Sequence, residues 1–197
     1  MIISCNINVV LIVYFKFEKV NNNIEKIKMS YERAYTICLE MLHQRGYSII
    51  EEEETYIIAL KPDGRQMAVF FHDTPKFGTK GMKETVSMMN DMDILHAIII
   101  YKEDVTPFTK ATLTRSEDRH FELFAIENLQ YNITKHILQP IFERLNEKEA
   151  IEFKQRYGVK FGTLRIDRPI ARFYDYNRGD VIRITRKDGY ISYRIVR

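Results

Sequence analysis

The sequence predicts an α/β (α+β) fold, in which a central sheet is flanked by helices and a smaller α+β unit follows. Between Ser30 and Leu129, apolar stripes at helical spacing alternate with short, continuous apolar runs. This alternation is typical of helices packed in a layer against a sheet. Beyond Leu129 the elements are shorter, and two alternating runs flank Lys187-Asp188-Gly189 near the end of the chain. An Asp-Gly pair between such runs predicts a β-hairpin.

The first predicted helix begins at Ser30, a residue suited to the N-cap, and ends at Gly46. Its apolar residues fall on one face of the helix: Tyr31, Ala34, Tyr35, Cys38, Leu39 and Leu42. A position within this stripe indicates that Cys38 is a core residue and not a nucleophile.

Five strands are predicted from apolar runs that follow this helix. They are Ser48–Glu54, Tyr56–Lys61, Met67–His72, Ile94–Tyr101 and His120–Ile126. Pro62-Asp63-Gly64 predicts a turn between the second and third strands. A helix capped by Thr79 is expected to pack through Met82, Val86 and Met89. Thr106-Pro107 predicts a further helix or turn, with proline at the first helical position.

The smaller unit begins where the character of the chain changes, and we place the boundary at about 128–130. Asn146 and Glu149 have the spacing of a capping box, which predicts the helix Glu147–Tyr157, ended by Gly158. Arg168-Pro169 predicts a short helix through Tyr174. The predicted division is therefore an extension over 1–28, a first domain over 29–128 and a second over 129–197.

The first 28 residues contain an apolar run, Val9 to Phe15, that is too short to span a bilayer. No basic flank precedes the run and no small-residue cleavage pattern follows it, so a signal peptide is not predicted. Met29 stands directly before the first helix. One hypothesis is that synthesis begins at Met29, and the alternative is that the segment forms an extra edge strand or a lineage-specific arm.

Charge is unevenly distributed along the chain. The net charge is only +3, but the stretch from Phe153 to Arg197 holds twelve Lys/Arg against four Asp/Glu, a local charge of +8. A field of this size favours an acidic partner, either phosphate or an acidic protein groove, and the alternative is a solvated surface. Two cysteines are too few for a disulfide framework and favour a reducing, intracellular setting.

The sequence carries no motif that predicts catalysis, a cofactor or a metal site. Pro62-Asp63 before a buried strand is similar to the first carboxylate of metal-dependent nucleases, which need an acidic-x-Lys triplet on the next strand. The strand Met67–His72 has no such triplet, and Glu152-Phe153-Lys154 lies on a predicted helix of the other unit. Asp63 is therefore predicted to be a turn residue.

Segments of the second unit resemble the assembly domain of subunit 5 of eukaryotic RNA polymerases, a domain that archaeal polymerases contain as a separate small subunit. They follow one another in the family's order: Asn132-Ile133-Thr134-Lys135-His136, Leu164-Arg165-Ile166, Pro169 to Tyr174, Arg178 to Ile182 and Tyr190 to Val196. The first unit is similar to the jaw domain that eukaryotic members add. Its matching segments include Arg45-Gly46-Tyr47, Val69-Phe70-Phe71 and Thr106-Pro107 with Lys110.

The chain departs from the family pattern at several places. The family usually has Leu-Pro-Arg-Ile where this chain has Thr163-Leu164-Arg165-Ile166, so the proline is lost, and the links from Ile166 to Pro169 and at Lys187-Asp188-Gly189 are short. Divergence of this kind suits a viral or a fast-evolving cellular lineage. The resemblance implies a nuclear location for a cellular member, and the virion or a viral factory in the host cytoplasm for a viral one.

The resemblance also implies a function: a non-catalytic subunit of a multi-subunit DNA-dependent RNA polymerase, without cofactor, membrane or small-molecule substrate. The assembly domain would dock on the largest subunit within the complex, and the jaw would contact downstream double-stranded DNA. The expected DNA-binding residues are Thr106, Pro107, Lys110 and Arg115. The expected partner-binding residues are Leu164, Arg165, Ile166, Pro169, Arg172, Tyr174 and Arg178. A free-standing nucleic-acid-binding protein and an inactive nuclease relative are the alternatives, and Ile166 could equally fill the domain's own core.

Overall fold

The computed structural model describes residues 30–53, 55–158 and 160–197. The hypotheses about residues 1–28 lie outside the described residues. The first helix, α1, covers 30–44, and its buried residues are the predicted stripe members Ala34, Cys38 and Leu42 together with Met41. Gly46, with φ of +82°, follows the helix as predicted.

A five-stranded mixed sheet forms the centre of the first unit. Its strands are β1 (Ser48–Glu52), β2 (Tyr56–Leu60), β3 (Gln66–His72), β5 (His96–Tyr101) and β7 (His120–Ala125), and they lie in the order β1-β2-β3-β5-β7. Strand β2 pairs antiparallel with both β1 and β3, whereas β3, β5 and β7 run parallel. Two short strands, β4 (Lys76–Phe77) and β6 (Asp104–Val105), pair separately.

Helices cross between the parallel strands, as parallel pairing requires. Helix α2 (Thr79–Asp91) connects β4 to β5, and α3 (Pro107–Thr114) precedes β7. The predicted cap of α2 is wrong by one residue: Gly78 is the N-cap, and Thr79 is already helical. The backbone amide of Met82 donates to the Gly78 carbonyl, so the first turn closes on backbone alone. For α3 the prediction is confirmed, with Thr106 as the N-cap and proline at the first helical position.

The second unit is a four-stranded sheet with two helices. Its strands are β8 (Ile141–Arg144), β9 (Thr163–Leu164), β10 (Val181–Thr185) and β11 (Ile191–Val196), in the order β8-β10-β11-β9. The predicted hairpin is formed by β10 and β11. Helix α4 (Glu147–Tyr157) begins with the predicted capping box, and α5 (Pro169–Phe173) begins with proline. The α+β class predicted from the sequence is confirmed.

The two units share part of one core. The face of the large sheet that α1 covers packs Val69, Ile98 and Ile100 against the helix, and Phe173 from α5 is buried in the same cluster. A separate cluster of the second unit gathers Ala171, Tyr176 and Ile182. Because Phe173 comes from the second unit, hydrophobic packing joins the two units.

Candidate functional site

A buried arginine lies at the centre of the junction between the two units. Arg45 follows α1, and its side chain is only 2% exposed. Its Nη1 and Nη2 donate to the two carboxylate oxygens of Glu122 on β7, both at 2.7 Å. Its Nε donates to the Phe173 carbonyl and its Nη2 to the Arg172 carbonyl, each at 2.8 Å. One guanidinium therefore joins α1, the edge strand of the large sheet and the end of α5.

The charge of Arg45 is matched by this arrangement. Burial by itself would lower the pKa of Arg45, and the Glu122 carboxylate more than offsets that effect, so the pKa is raised. The carbonyls of Arg172 and Phe173 belong to the last turn of α5, where a cation is favourable. The side chain of Glu122 is 10% exposed, so the pair is largely withdrawn from water.

A second polar contact crosses the junction beside the first. His120 on β7 approaches Asp175 with 3.2 Å between Nε2 and Oδ1. Hydrogen bonding to Asp175 raises the pKa of His120. Burial would raise the pKa of Asp175, but the hydrogen bond with His120 and the charge of Arg45 lower it. Each group therefore favours the charged form of the other.

His120, Glu122 and Asp175 together bring possible metal-ligand atoms within 4.8 Å of one another. Both oxygens of Glu122, however, accept hydrogen bonds from the buried guanidinium of Arg45. A divalent cation would have to lie beside that guanidinium, which disfavours its binding. The arrangement acts as an ion-pair network across the junction.

The predicted DNA-binding residues lie on and beside α3. The Thr106 hydroxyl accepts a hydrogen bond from the Thr109 amide and contacts the Thr109 hydroxyl at 2.7 Å, so it is used in capping the helix. Pro107, Lys110 and Arg115 are exposed. Lys110 lies within α3, and Arg115 is the C-cap of that helix.

A cleft of about 460 Å³ lies between α3 and the second unit. Its walls include Lys110 from the predicted DNA-binding set and Ile166 and Arg172 from the predicted partner-binding set. The fold thus brings together residues that the sequence assigned to two separate surfaces. Arg115, Pro169 and Arg178 are outside the cleft lining.

Several predicted partner-binding residues face the interior of the molecule. The Arg172 guanidinium donates to the Leu123 carbonyl and lies 4.6 Å from the centroid of the Phe124 ring. Tyr174 stacks on Tyr176 with ring centroids 5.5 Å apart. Leu164 and Ile166 pack, partly buried, against the core of the second unit. Ile166 packs on the core of its own unit and also lines the cleft, and its role in binding a partner stays a prediction.

The other predicted partner-binding residues are open to solvent. Arg165, Pro169 and Arg178 are exposed. Arg165 pairs with Asp167 two residues on, with 2.9 Å between Nε and Oδ1. An exposed local pair of this kind contributes little and can exchange for a pair with a partner.

Several large apolar residues that lie close together in the sequence are exposed, which the sequence interpretation did not predict. We call the residues Tyr131, Ile137, Leu138 and Ile141 the apolar edge. Leu138 is 81% and Ile137 72% exposed, and Ile141 belongs to the edge strand β8. The signal in the sequence was Pro140, which interrupts the run from Ile137 to Ile141 and disfavours a helix with these residues on its buried face.

Known proteins are similar to this chain in sequence. The family described as "RNA polymerase Rpb5, C-terminal domain" matches residues 131–196. A protein of Invertebrate iridescent virus 6, named as DNA-directed RNA polymerase subunit 454R, is 33% identical over 186 residues, covering 85% of this chain and all of the relative. The DNA-directed RNA polymerases I, II, and III subunit rpabc1 of Dictyostelium discoideum is 32% identical over 181 residues, covering 86% of this chain and 92% of the relative.

These relatives define the class of protein as subunits of DNA-directed RNA polymerases. Within that class, the chain belongs to the Rpb5 family. The resemblance inferred from the sequence motifs is therefore confirmed. A crystal structure of a protein of unknown function aligns with 66% of the chain at a TM-score of 0.35 and 17% identity, which is too distant to inform the fold. No helix among the described residues is long and apolar enough to cross a membrane.

Proposed function

We propose that this chain is a non-catalytic subunit that attaches to the largest subunit of its polymerase and extends a jaw toward downstream DNA. The observation that carries the proposal is the family match over residues 131–196, the part expected to dock. The proposed division is a jaw over 29–128 and an assembly domain over 129–197. Each part contains one of the two larger sheets. By analogy with its relatives, the chain acts in the nucleus if cellular, and in the virion or viral factory if viral.

The proposed docking face has a polar and an apolar part. Arg165 and Arg178 offer exposed guanidinium groups that can make charge-assisted bonds to carboxylates. The apolar edge offers side chains whose burial in a complex is favourable, at about 25 cal/mol per Å² of apolar area. Protein interfaces usually combine buried apolar anchors with charged groups.

The proposed DNA contact is limited to α3 and its C-terminal cap. Lys110 and Arg115 are exposed, and each can neutralise one phosphate. Thr106 and Pro107 would fix the start of the helix and would contribute little charge. Two cations give a weak contact without base readout, as expected for a subunit that guides duplex DNA of any sequence.

Affinity purification of the tagged chain from its natural source tests the proposal. A polymerase subunit is expected to elute in a very large assembly, at fixed stoichiometry with the largest subunit. A free-standing nucleic-acid-binding protein would elute alone near 23.5 kDa. A nuclease would degrade DNA when Mg²⁺ is added. Either of the last two results would contradict the proposal.

A further inference from the structure

A second, smaller pocket opens at the junction, and its lining is rich in cations. It encloses about 130 Å³, and we call it the junction pocket. Lys61 and Arg65 reach it from the turn between β2 and β3, and Arg144 reaches it from the end of β8. Arg45 and Asp175 complete the charged part of the lining, so four cations face one carboxylate.

Two of these five charges already have partners of opposite charge outside the pocket lining. Arg45 is paired with Glu122, and Asp175 is paired with His120. The excess positive charge in the junction pocket therefore comes from Lys61, Arg65 and Arg144.

The remaining three cations have weak partners or none. Arg65 lies 3.9 Å from Asp63 in an exposed pair, and Arg144 lies 3.4 Å from Asp180 in a partly exposed one. Such pairs contribute about 0–1 kcal/mol each. Lys61 has no ion pair among the residues that the structure describes, and its ammonium lies 4.5 Å from the centroid of the Tyr47 ring.

The three cations are close enough to affect one another. Burial lowers the pKa of Lys61, and the guanidinium groups of Arg65 and Arg144 lower it further, although Asp63 and Asp175 partly compensate. Like charges that converge on a concave surface are stabilised by an anion placed between them.

We infer that the junction pocket binds a free oxyanion of the phosphate or sulfate type, held by Lys61 and Arg65 from the first unit and by Arg144 from the second. The volume is about four times the share of one water molecule in the liquid, which is enough for one phosphate group. Guanidinium groups match the geometry of phosphate oxygens, and lysine adds a point charge. Because the cations come from both units, the bound anion strengthens the junction.

The test is a titration of the full chain with inorganic phosphate. Calorimetry and the broadening of the ³¹P resonance measure the binding. Ionic strength is held constant with chloride, because phosphate also stabilises proteins through general exclusion from their surfaces. The wild type is expected to bind phosphate. Lys61→Gln and Arg65→Gln should each weaken binding by about tenfold or more, the effect of losing a charge-assisted hydrogen bond.

Lys80→Gln is the matched control, since Lys80 is an exposed lysine of α2 whose side chain is 92% exposed. The affinity of the Lys80→Gln variant for phosphate should stay within about twofold of the wild-type affinity, as expected for a distant exposed charge. The thermal midpoints of all variants in chloride alone show whether they are folded. Phosphate should then raise the midpoint of the wild type and of Lys80→Gln more than that of Arg65→Gln.

Two results would overturn the inference. One is equal phosphate binding by the wild type, Lys61→Gln and Arg65→Gln. The other is tighter binding of acetate than of phosphate, which would assign the pocket to a carboxylate. Both results are independent of the proposed role in a polymerase, because the titration contains neither polymerase nor DNA.

Discussion

Arg45 and Glu122 form a two-bond pair, with both nitrogen–oxygen distances at 2.7 Å, although they are 77 residues apart in the chain. The remaining bonds of Arg45 go to carbonyls of α5, so the pair fixes the second unit against the large sheet. The proposed jaw has to keep its orientation relative to the part that is proposed to dock. This arginine supplies a polar contact that defines such an orientation, whereas the buried Phe173 supplies an apolar one.

Arg45→Ala is expected to destabilise the protein by about 3–5 kcal/mol, because it leaves the buried Glu122 carboxylate without its partner. Arg45→Lys should recover only part of the loss, since an ammonium cannot make two parallel bonds to the carboxylate and also reach both carbonyls. Urea denaturation at pH 7 measures both effects. Lys80→Ala, at an exposed site, should change the free energy of unfolding by less than about 0.5 kcal/mol. A loss below about 1 kcal/mol for Arg45→Ala would show that the pair is not needed at the junction.

The pair formed by His120 and Asp175 predicts a dependence of stability on pH. The pKa of His120 is raised in the folded protein, so its contribution is present below the unfolded value of about 6.5 and is lost as pH rises through the folded value. The pKa of Asp175 is lowered, so its contribution is present above about 3.9 and is lost as pH falls through the folded value. The pair therefore contributes most between about pH 4 and 6.5.

His120→Gln is expected to lower the free energy of unfolding more at pH 5.5 than at pH 9. The difference should be below about 1 kcal/mol, because the pair is partly exposed. His96 lies beside His120, with ring centroids 5.7 Å apart, and burial lowers its pKa. Measuring the effect of His120→Gln at both pH values in a protein that also carries His96→Gln removes the titration of His96 from the comparison. An equal effect of His120→Gln at both pH values would contradict the prediction.

Local signals in the sequence predicted local structure correctly. The capping box of Asn146 and Glu149 and the hairpin at Asp188-Gly189 were confirmed, because each depends on residues within a few positions. The N-cap of α2 was mispredicted because Gly78 occupies the N-cap position without a side-chain hydrogen bond, whereas the prediction looked for a capping side chain. These elements and the family motifs were enough to predict the fold class.

Contacts between distant residues could not be predicted in the same way. Nothing near Arg45 indicates a partner on β7, since that pairing arises only after the sheet has formed. The inward orientation of Arg172 could not be predicted either. Its guanidinium donates to the backbone carbonyl of Leu123, and a backbone acceptor leaves no signal in the sequence. The exposure of Leu138 was also hidden, since an apolar residue in a sequence is expected to be buried.

Charge reversal separates docking from folding in the second unit. Arg165→Glu and Arg178→Glu should each weaken co-purification with the largest subunit, because they place a like charge against an acidic groove. Their unfolding free energies should stay within about 0.5 kcal/mol of the wild type, because both side chains are exposed. Arg172→Glu should weaken co-purification as well, but with a loss of stability, because it removes the contacts to Leu123 and Phe124. Normal assembly of all three variants would remove these arginines from the docking face.

The apolar edge gives an independent test of docking. Leu138→Ser should lower co-purification with the largest subunit while leaving stability nearly unchanged, since Leu138 is 81% exposed in the isolated chain. Ile151→Ser on α4 is the matched control, because Ile151 is also an exposed aliphatic residue and lies outside the apolar edge. Quantitative pull-down with the tagged largest subunit measures both. Equal recovery of the two variants would show that the apolar edge is not part of the interface.

The proposed DNA contact predicts a change in salt dependence without a change in assembly. Lys110→Ala with Arg115→Ala should leave subunit stoichiometry intact and reduce the stability of the polymerase on downstream duplex. The slope of log K against log salt concentration is negative, and each lost phosphate contact reduces its magnitude by about one. The magnitude for the double variant should therefore be smaller by about two. Lys80→Ala with Lys83→Ala removes the same charge from α2 and should leave the slope unchanged. Because Lys110 also lines the cleft beside Arg172, each single variant is needed to separate the two residues. An unaltered slope in the double variant would remove α3 from the DNA path.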